Sequence, residues 1–311
     1  MSLSLAAFDL PAGYSAVAAL GDALVLLQLE QGPTERLMLY ADGQPKAVIA
    51  ERPWNHFITF AADDRYVVWS ESETEVDSGA NDRWSVWAWD AESGESFTVA
   101  RYAAPGAELG LPANLDVGPM VKISAGAVLW TAFDRTAAGT VLRLHRFNLK
   151  ERHDTVLAAA TAGRPLGSYD IRGQRVAYSA GDQLILLDGD ARSVIATGNI
   201  GQVLLTDDAA LWTEDQGRLL LHTVGQTRAV ADSAGPRFVF SSSGHYVTWY
   251  SLDDDNLYLL RTPDGTEFKA VSDTIQGGSI VGNFVTWGVR DGHSRPPRTR
   301  AARLPQAPVA Q

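Results

Sequence analysis

The chain has 311 residues, 45% of them hydrophobic, and no cysteine, which excludes disulfides, thiolate metal sites and cysteine nucleophiles together. Acids outnumber bases 37 to 26, a formal net charge of −11, and that balance argues against binding nucleic-acid phosphates. No apolar run approaches the roughly 20 residues of a membrane-spanning helix.

Taken in order, residues 1–10 lack the basic start and long apolar core of a secretory signal. Leu3, Leu5 and Phe8 alternate with small residues up to Pro11, which predicts a lone N-terminal strand. A stretch from Phe57 to Thr98 then sets the pattern for the rest. Arg65-Tyr66-Val67-Val68-Trp69 is β-branched and aromatic, favouring a strand, and Asp63-Asp64 before it is a turn signal. Trp84 to Trp89 alternates large apolar with small residues, and Asp90 to Glu95 turns the chain into Ser96-Phe97-Thr98-Val99. Four strands joined by short turns are one propeller blade.

The pattern recurs as LGDALVLL (20–27), DDRYVVW (63–69), SAGAVLW (124–130), RGQRVAY (172–178), DDAALW (207–212), SGHYVTW (243–249) and VGNFVTW (281–287). The markers Leu27, Trp69, Trp130, Tyr178, Trp212, Trp249 and Trp287 lie mostly 34–48 residues apart, near the ~40–45 residues of a four-stranded repeat. The predicted fold is an all-β, seven-bladed β-propeller of four-stranded antiparallel blades. It forms one domain over 1–304, with a flexible tail at 305–311. Blades fall at about 14–50, 54–102, 117–160, 166–198, 199–233, 236–272 and 275–304. The last has only a poor third strand in Thr299 to Leu304, within a Pro- and Arg-rich stretch from 291 onward read as mobile. The N-terminal strand is expected to complete that blade and remove its exposed edge. The marker aromatics are assigned to packing between blades.

In such a meander, the connection between strands two and three emerges at the same end as the link to the next blade. That end receives 70–82, 103–118, 131–139, 214–217, 251–256 and 291–298, read as long polar loops, while tight turns such as Asp42-Gly43 and Asp264-Gly265 gather at the other. Binding residues concentrate on loops held by a rigid scaffold. The candidate ligand-binding residues are Trp54, His56, Glu71, Glu73, Arg83, Asp134 and Arg135. Trp beside His suits stacking on a sugar or peptide ring; the excess of acids there favours cations, basic peptides or polar sugars.

Other chemistry finds little support. The acids from Glu71 to Asp77 lack the spacing and glycine of a calcium loop. Asp253-Asp254-Asp255-Asn256 reads as an exposed turn, and the six histidines form no H-x-x-H pair. G-x-S-x-G, Walker-type and G-x-G-x-x-G loops are absent. No catalytic residue, metal or cofactor is expected.

ADDRYVVWS with WAWDAESGESFTV, and SGHYVTWYS with LYLLRTPDGTEFKAV, resemble the blades of TolB-like bacterial propellers. The resemblance spans most of 14–290 and is a blade signature. The N-terminal α/β domain and S-P-D-G turns of TolB itself are missing, as is any peptidase domain. It implies an exported, periplasmic or secreted binding module, and some related propellers cleave sugars. The leading reading is therefore a monomeric, non-enzymatic propeller that binds a protein segment or small polar ligand. The alternative is a carbohydrate-active hydrolase or lyase with carboxylates from several blades.

Overall fold

The computed structural model describes residues 5–28, 32–73, 83–103, 119–137, 139–214, 218–223, 225–231, 240–251, 256–271, 275–289 and 298–305. Its strands form seven four-stranded antiparallel sheets, and the described residues contain no helix. This is a seven-bladed β-propeller, as the repeat predicts.

The chain opens with β1 (Ala7–Asp9). Blade one follows as β2 (Tyr14–Leu20), β3 (Ala23–Gln28), β4 (Thr34–Ala41) and β5 (Gln44–Pro53). Blade two is β6 (Phe57–Ala62), β7 (Tyr66–Ser72), β8 (Arg83–Asp90) and β9 (Glu95–Ala103). Blade three is β10 (Lys122–Ser124), β11 (Ala127–Thr136), β12 (Gly139–Asn148) and β13 (His153–Ala159). Blade four is β14 (Leu166–Arg172), β15 (Arg175–Ala180), β16 (Gln183–Asp188) and β17 (Ala191–Thr197). Blade five is β18 (Val203–Leu205), β19 (Ala210–Thr213), β20 (Leu219–Thr223) and β21 (Gln226–Ala231). Blade six is β22 (Phe240–Ser243), β23 (Tyr246–Ser251), β24 (Asn256–Arg261) and β25 (Thr266–Val271). β26 (Ile275–Val281), β27 (Phe284–Val289) and β28 (Arg298–Arg303) belong to blade seven.

The seventh sheet has the order β1-β28-β27-β26, with Ala7, Phe8 and Asp9 opposite Ala302, Ala301 and Arg300. The N-terminal strand thus completes the last blade, as expected. The weak third strand is instead a full partner: Arg298–Arg303 pairs along β27, and Ala301 and Ala302 are fully buried. Small apolar residues at its centre let it pack, despite the arginines at its ends. Within the stretch from 291 onward, residues 291–297 and the tail from 306 lie outside the described residues.

Two compact units are distinguished, 17–166 and 1–16 with 167–311. Within the first, Trp69 packs with Val25, Leu37 and Ile49 of blade one, and Trp130 packs with Tyr66, Val68 and Val86 of blade two. Within the second, Trp212 packs with Ala177 and Leu184 of blade four, and Trp249 with Leu211 and Leu221 of blade five. These four indoles are at most 1% exposed, so the recurring aromatic is a spacer between neighbouring sheets.

Turns obey their residue chemistry. Asp42 and Gly43 both have positive φ, 53° and 74°, the backbone of a tight hairpin turn that Asp-Gly adopts readily. Asp63 Oδ1 accepts from the Arg65 and Tyr66 N–H groups at 2.9 and 2.8 Å. Its Oδ2 accepts from Gly126 N of the next blade at 2.7 Å. One carboxylate therefore closes a turn and joins two blades.

Three carboxyls sit below the ordinary aspartate range. The Arg65 guanidinium lowers Asp90 and Arg261 lowers Asp264, each through a hydrogen bond that outweighs partial burial. Burial pushes Asp207 up, but the Arg172 hydrogen bond with the charges of Arg172, His245 and Arg175 more than offsets it. A carboxyl depressed in the folded state contributes stability above its unfolded value, near pH 3.8, and loses it as pH falls through the folded value. Burial holds the His222 imidazole below its ordinary value, so melting temperature should ease as pH falls from 7 to 5, and the carboxyls make it drop further below about pH 4. A circular-dichroism melt that is flat down to pH 2.5 would contradict this.

Candidate functional site

The link between blades one and two is a turn through Trp54 and Asn55. Asn55 has φ 60°, a left-handed backbone that asparagine tolerates. Trp54 N donates to Pro33 O at 3.3 Å. The turn is pinned from beneath by Glu35 of β4, 5% exposed, whose Oε1 accepts from His56 N at 2.7 Å and Phe57 N at 2.8 Å. Two N–H groups at a strand start, which would otherwise be buried without partners, are satisfied by one carboxylate oxygen.

That anchoring fixes the His56 ring. Its Nδ1 lies 2.9 Å from the Ser72 carbonyl, while Ser72 N donates back to His56 O at 2.8 Å. A carbonyl only accepts, so Nδ1 carries the hydrogen and Nε2 of the neutral ring is an acceptor. His56 and Trp54 are half-buried. The result is an oriented imidazole two residues from Trp54 in the same turn.

Glu71 belongs elsewhere in the architecture than expected. Residues 70–72 are the end of β7 and not part of a loop. Glu71 is 8% exposed, and its Oε2 accepts from Arg52 Nε at 2.7 Å and Trp69 Nε1 at 2.8 Å. Arg52 also lies 5.4 Å over the Trp87 ring, with Arg101 5.6 Å from the same centroid. Trp69 and Trp87 stack at 6.3 Å. Glu71 faces inward because it is two residues beyond Trp69 on one strand face.

Glu73 N donates to Arg83 O at 2.9 Å, and their side chains pair at 3.7 Å in an exposed position. Such a pair adds little stability and is free to exchange partners. Trp54, His56, Glu71, Glu73 and Arg83 therefore share one end of blade two. The rest of the acid run, with 74–82, and the loop 104–118 lie outside the described residues.

Asp134 and Arg135 sit on blade three. Residues 131–139 are not a long loop: β11 and β12 run to Thr136 and from Gly139, directly paired. Thr131, Phe133, Thr140 and Val141 suit a ladder better than a loop. Arg135 is opposite Thr140, and its side chain lies outside the described residues. Asp134 Oδ2 meets Arg143 Nη1 at 3.0 Å and His145 Nε2 at 3.4 Å, and His145 Nδ1 meets Asp154 Oδ2 at 2.9 Å. The His145 ring is stacked on Trp130 at 5.2 Å. Sequence reasoning named Asp134 but missed Glu35, Arg52, Arg143 and His145. Glu35 and His145 share a strand face with Leu37 and Phe147, a phase that marks inward-facing polar groups.

No family model and no curated protein matches this sequence. Solved structures match throughout its length. The β-propeller domain of the Trilobed protease from Pyrococcus furiosus is 10% identical with a TM-score of 0.61, over 96% of this chain and 99% of that one. An oligogalacturonate lyase in complex with manganese is 14% identical, TM-score 0.58, over 92% and 87%. BamB from Moraxella catarrhalis is 12% identical, TM-score 0.51, over 92% and 83%. At these identities the likeness is one of fold.

Proposed function

We propose that this chain is a TolB-like binding propeller that takes a protein segment or small polar ligand at the end of blade two. The observation carrying this reading is the His56 imidazole, held by the 2.9 Å bond between its Nδ1 and Ser72 O in the same blade link as Trp54. Indole and imidazole together provide a stacking surface and one directed hydrogen bond, the minimum for recognising a planar or ring-bearing group with an N–H or O–H donor. The exposed Glu73 and Arg83 supply exchangeable charges at the rim. Glu35 and Glu71 act beneath them as positioning residues, and Asp134 extends the surface on blade three. A sugar-cleaving activity draws on fold likeness alone, which assigns no residue.

The test is a thermal-shift screen against basic peptides and oligosaccharides, followed by calorimetry on Trp54→Ala/His56→Ala. A ligand at 100 times its Kd adds about 2.7 kcal/mol of apparent stability. Losing one stacking contact and one hydrogen bond should weaken the hit roughly 10- to 100-fold, with the blade spectrum unchanged. Unaltered affinity in the folded double mutant removes the site. A sugar hit accompanied by product formation would replace binding with catalysis.

A further inference from the structure

Laid over one another through the marker aromatic, blades two and three differ at one chemically informative position. In blade two, an indole Nε1–H and an arginine Nε–H converge on one oxygen of Glu71, at 2.8 and 2.7 Å. In blade three, Trp130 stands where Trp69 does, and the residue two further on is Ala132, 2% exposed. Across the ladder from Ala132 is Arg143.

Trp130 is 1% exposed. Its Nε1 and the Nε of Arg143 are both buried, and among the described residues neither has an acceptor. Arg143 meets Asp134 through Nη1, so Nε is not part of that pair. The donor types that hold Glu71 thus recur on the residues that flank Ala132, one two positions before it and one across the ladder. Buried N–H groups are nearly always paired, and two without an acceptor on one hairpin mark a place for one.

Blade five sharpens the contrast. There the same positions hold Trp212, Glu214 and Arg218, with Glu214 N bonded to Arg218 O at 2.9 Å. Trp212 Nε1 has no acceptor among the described residues even with Glu214 at the matching position, so it is the pair of donors, not the indole alone, that sets blade three apart. Blade three has the donors and no acid of its own there.

We infer that blade three carries a carboxylate-binding site, formed by Trp130 Nε1 and Arg143 Nε over Ala132. A monoanion fits better than a phosphate, because Asp134 already neutralises part of the Arg143 charge. The Arg143 side chain keeps 32% of its surface exposed, so its guanidinium reaches from the donor pair to solvent. The carboxylate comes from a small organic acid or from a peptide. The inference shares neither Trp54 nor His56 with the site proposed on blade two, and Asp134 is their one common residue.

The nine tryptophans give nine indole N–H signals in a nitrogen-15 spectrum. Trp130→Phe identifies the relevant one, and Ala132→Glu gives a second identification if that variant does not fold. Titration with formate or acetate, at ionic strength matched with chloride, should move the Trp130 proton downfield to saturation and leave Trp69 unmoved. In Ala132→Glu the signal should be shifted before any acid is added and should no longer respond. Arg143→Lys keeps the charge but loses Nε, and should cut the apparent affinity at least tenfold.

A peptide with a free terminal carboxylate, compared with its amide, distinguishes the sources. Action at hundredfold lower concentration than acetate assigns a protein segment, and parity assigns a small acid. A Trp130 signal indifferent to formate, acetate and peptide, or equally sensitive to chloride, overturns the inference. A persistent cross-peak to water that formate does not remove names water as the acceptor and overturns it too.

Discussion

A chain that begins at Pro11 is expected to lose about 3–5 kcal/mol of stability and melt roughly 5–10 °C lower. β1 is only three residues long, yet it closes the seventh sheet. Its loss strips the pairing partner from β28 and exposes the edge at Ala301 and Ala302, both fully buried in the intact protein. It also removes the edge-on contact of Phe8 with Phe284, the Asp9–Arg300 ion pair at 2.8 Å, and the Leu10 N–Thr299 O bond at 2.9 Å. Leu10, 7% exposed, contributes most, about 2 kcal/mol by area. The ion pair is half exposed and adds little. A new unpaired edge also invites strand addition, so the truncated chain should associate at concentrations where the parent does not. Denaturant melts and sedimentation of both forms test this; identical midpoints would mean that β1 is an ornament of the blade.

This closure was legible because it follows from counting strands: the last repeat lacks one, and the first residues supply an alternating segment with no blade of its own. Blade number was legible for the same reason, since a large apolar marker, aromatic in six of the seven repeats, recurs once per blade. Residue phase is less forgiving. Acidic residues after a marker aromatic look like loop, because charge is read as exposure. Glu71 is nevertheless held inside by Arg52, a residue 19 positions earlier on another blade. Pairing across blades cannot be seen in a local window, so the loop assignment for 70–72 failed for that reason, and the one for 131–136 because its charges were read as exposure. Both strands run on past the aromatic: Glu71 is covered by an arginine of the preceding blade, and Asp134 is paired across its own hairpin with Arg143.

The site shows the same division. Trp54 and His56 could be named from their position at a blade link. The feature that gives His56 a chemical role, a hydrogen bond from Nδ1 to the Ser72 carbonyl, depends on register between β6 and β7, including the irregularity between Phe57 and Thr59. Register is set by packing of the whole sheet, and no motif carries it. Glu35 is the residue whose omission mattered most, because it holds both N–H groups that aim the turn.

Glu71 gives the second large effect and separates scaffold from ligand contact. Glu71→Ala should cost about 3 kcal/mol, because it leaves the Arg52 charge, 28% exposed, and the Trp69 indole N–H without their common acceptor. Glu71→Gln, which keeps the shape and one acceptor oxygen, should cost about half as much. Arg52→Met/Glu71→Leu removes both charges together and should be more stable than Glu71→Ala alone, since replacing a buried pair by apolar groups is often neutral. Only the Trp69 N–H then remains unpaired. Equilibrium urea unfolding of the four proteins decides the order. If Glu71→Ala unfolds within 0.5 kcal/mol of the parent, the carboxylate is not holding the blades and its burial is incidental. If instead the order holds and Glu71→Gln keeps full affinity for a ligand found at His56, Glu71 acts by positioning the strand beneath the site. A ligand that Glu71→Gln fails to bind, in a protein that still folds, would move Glu71 from the frame into the contact surface.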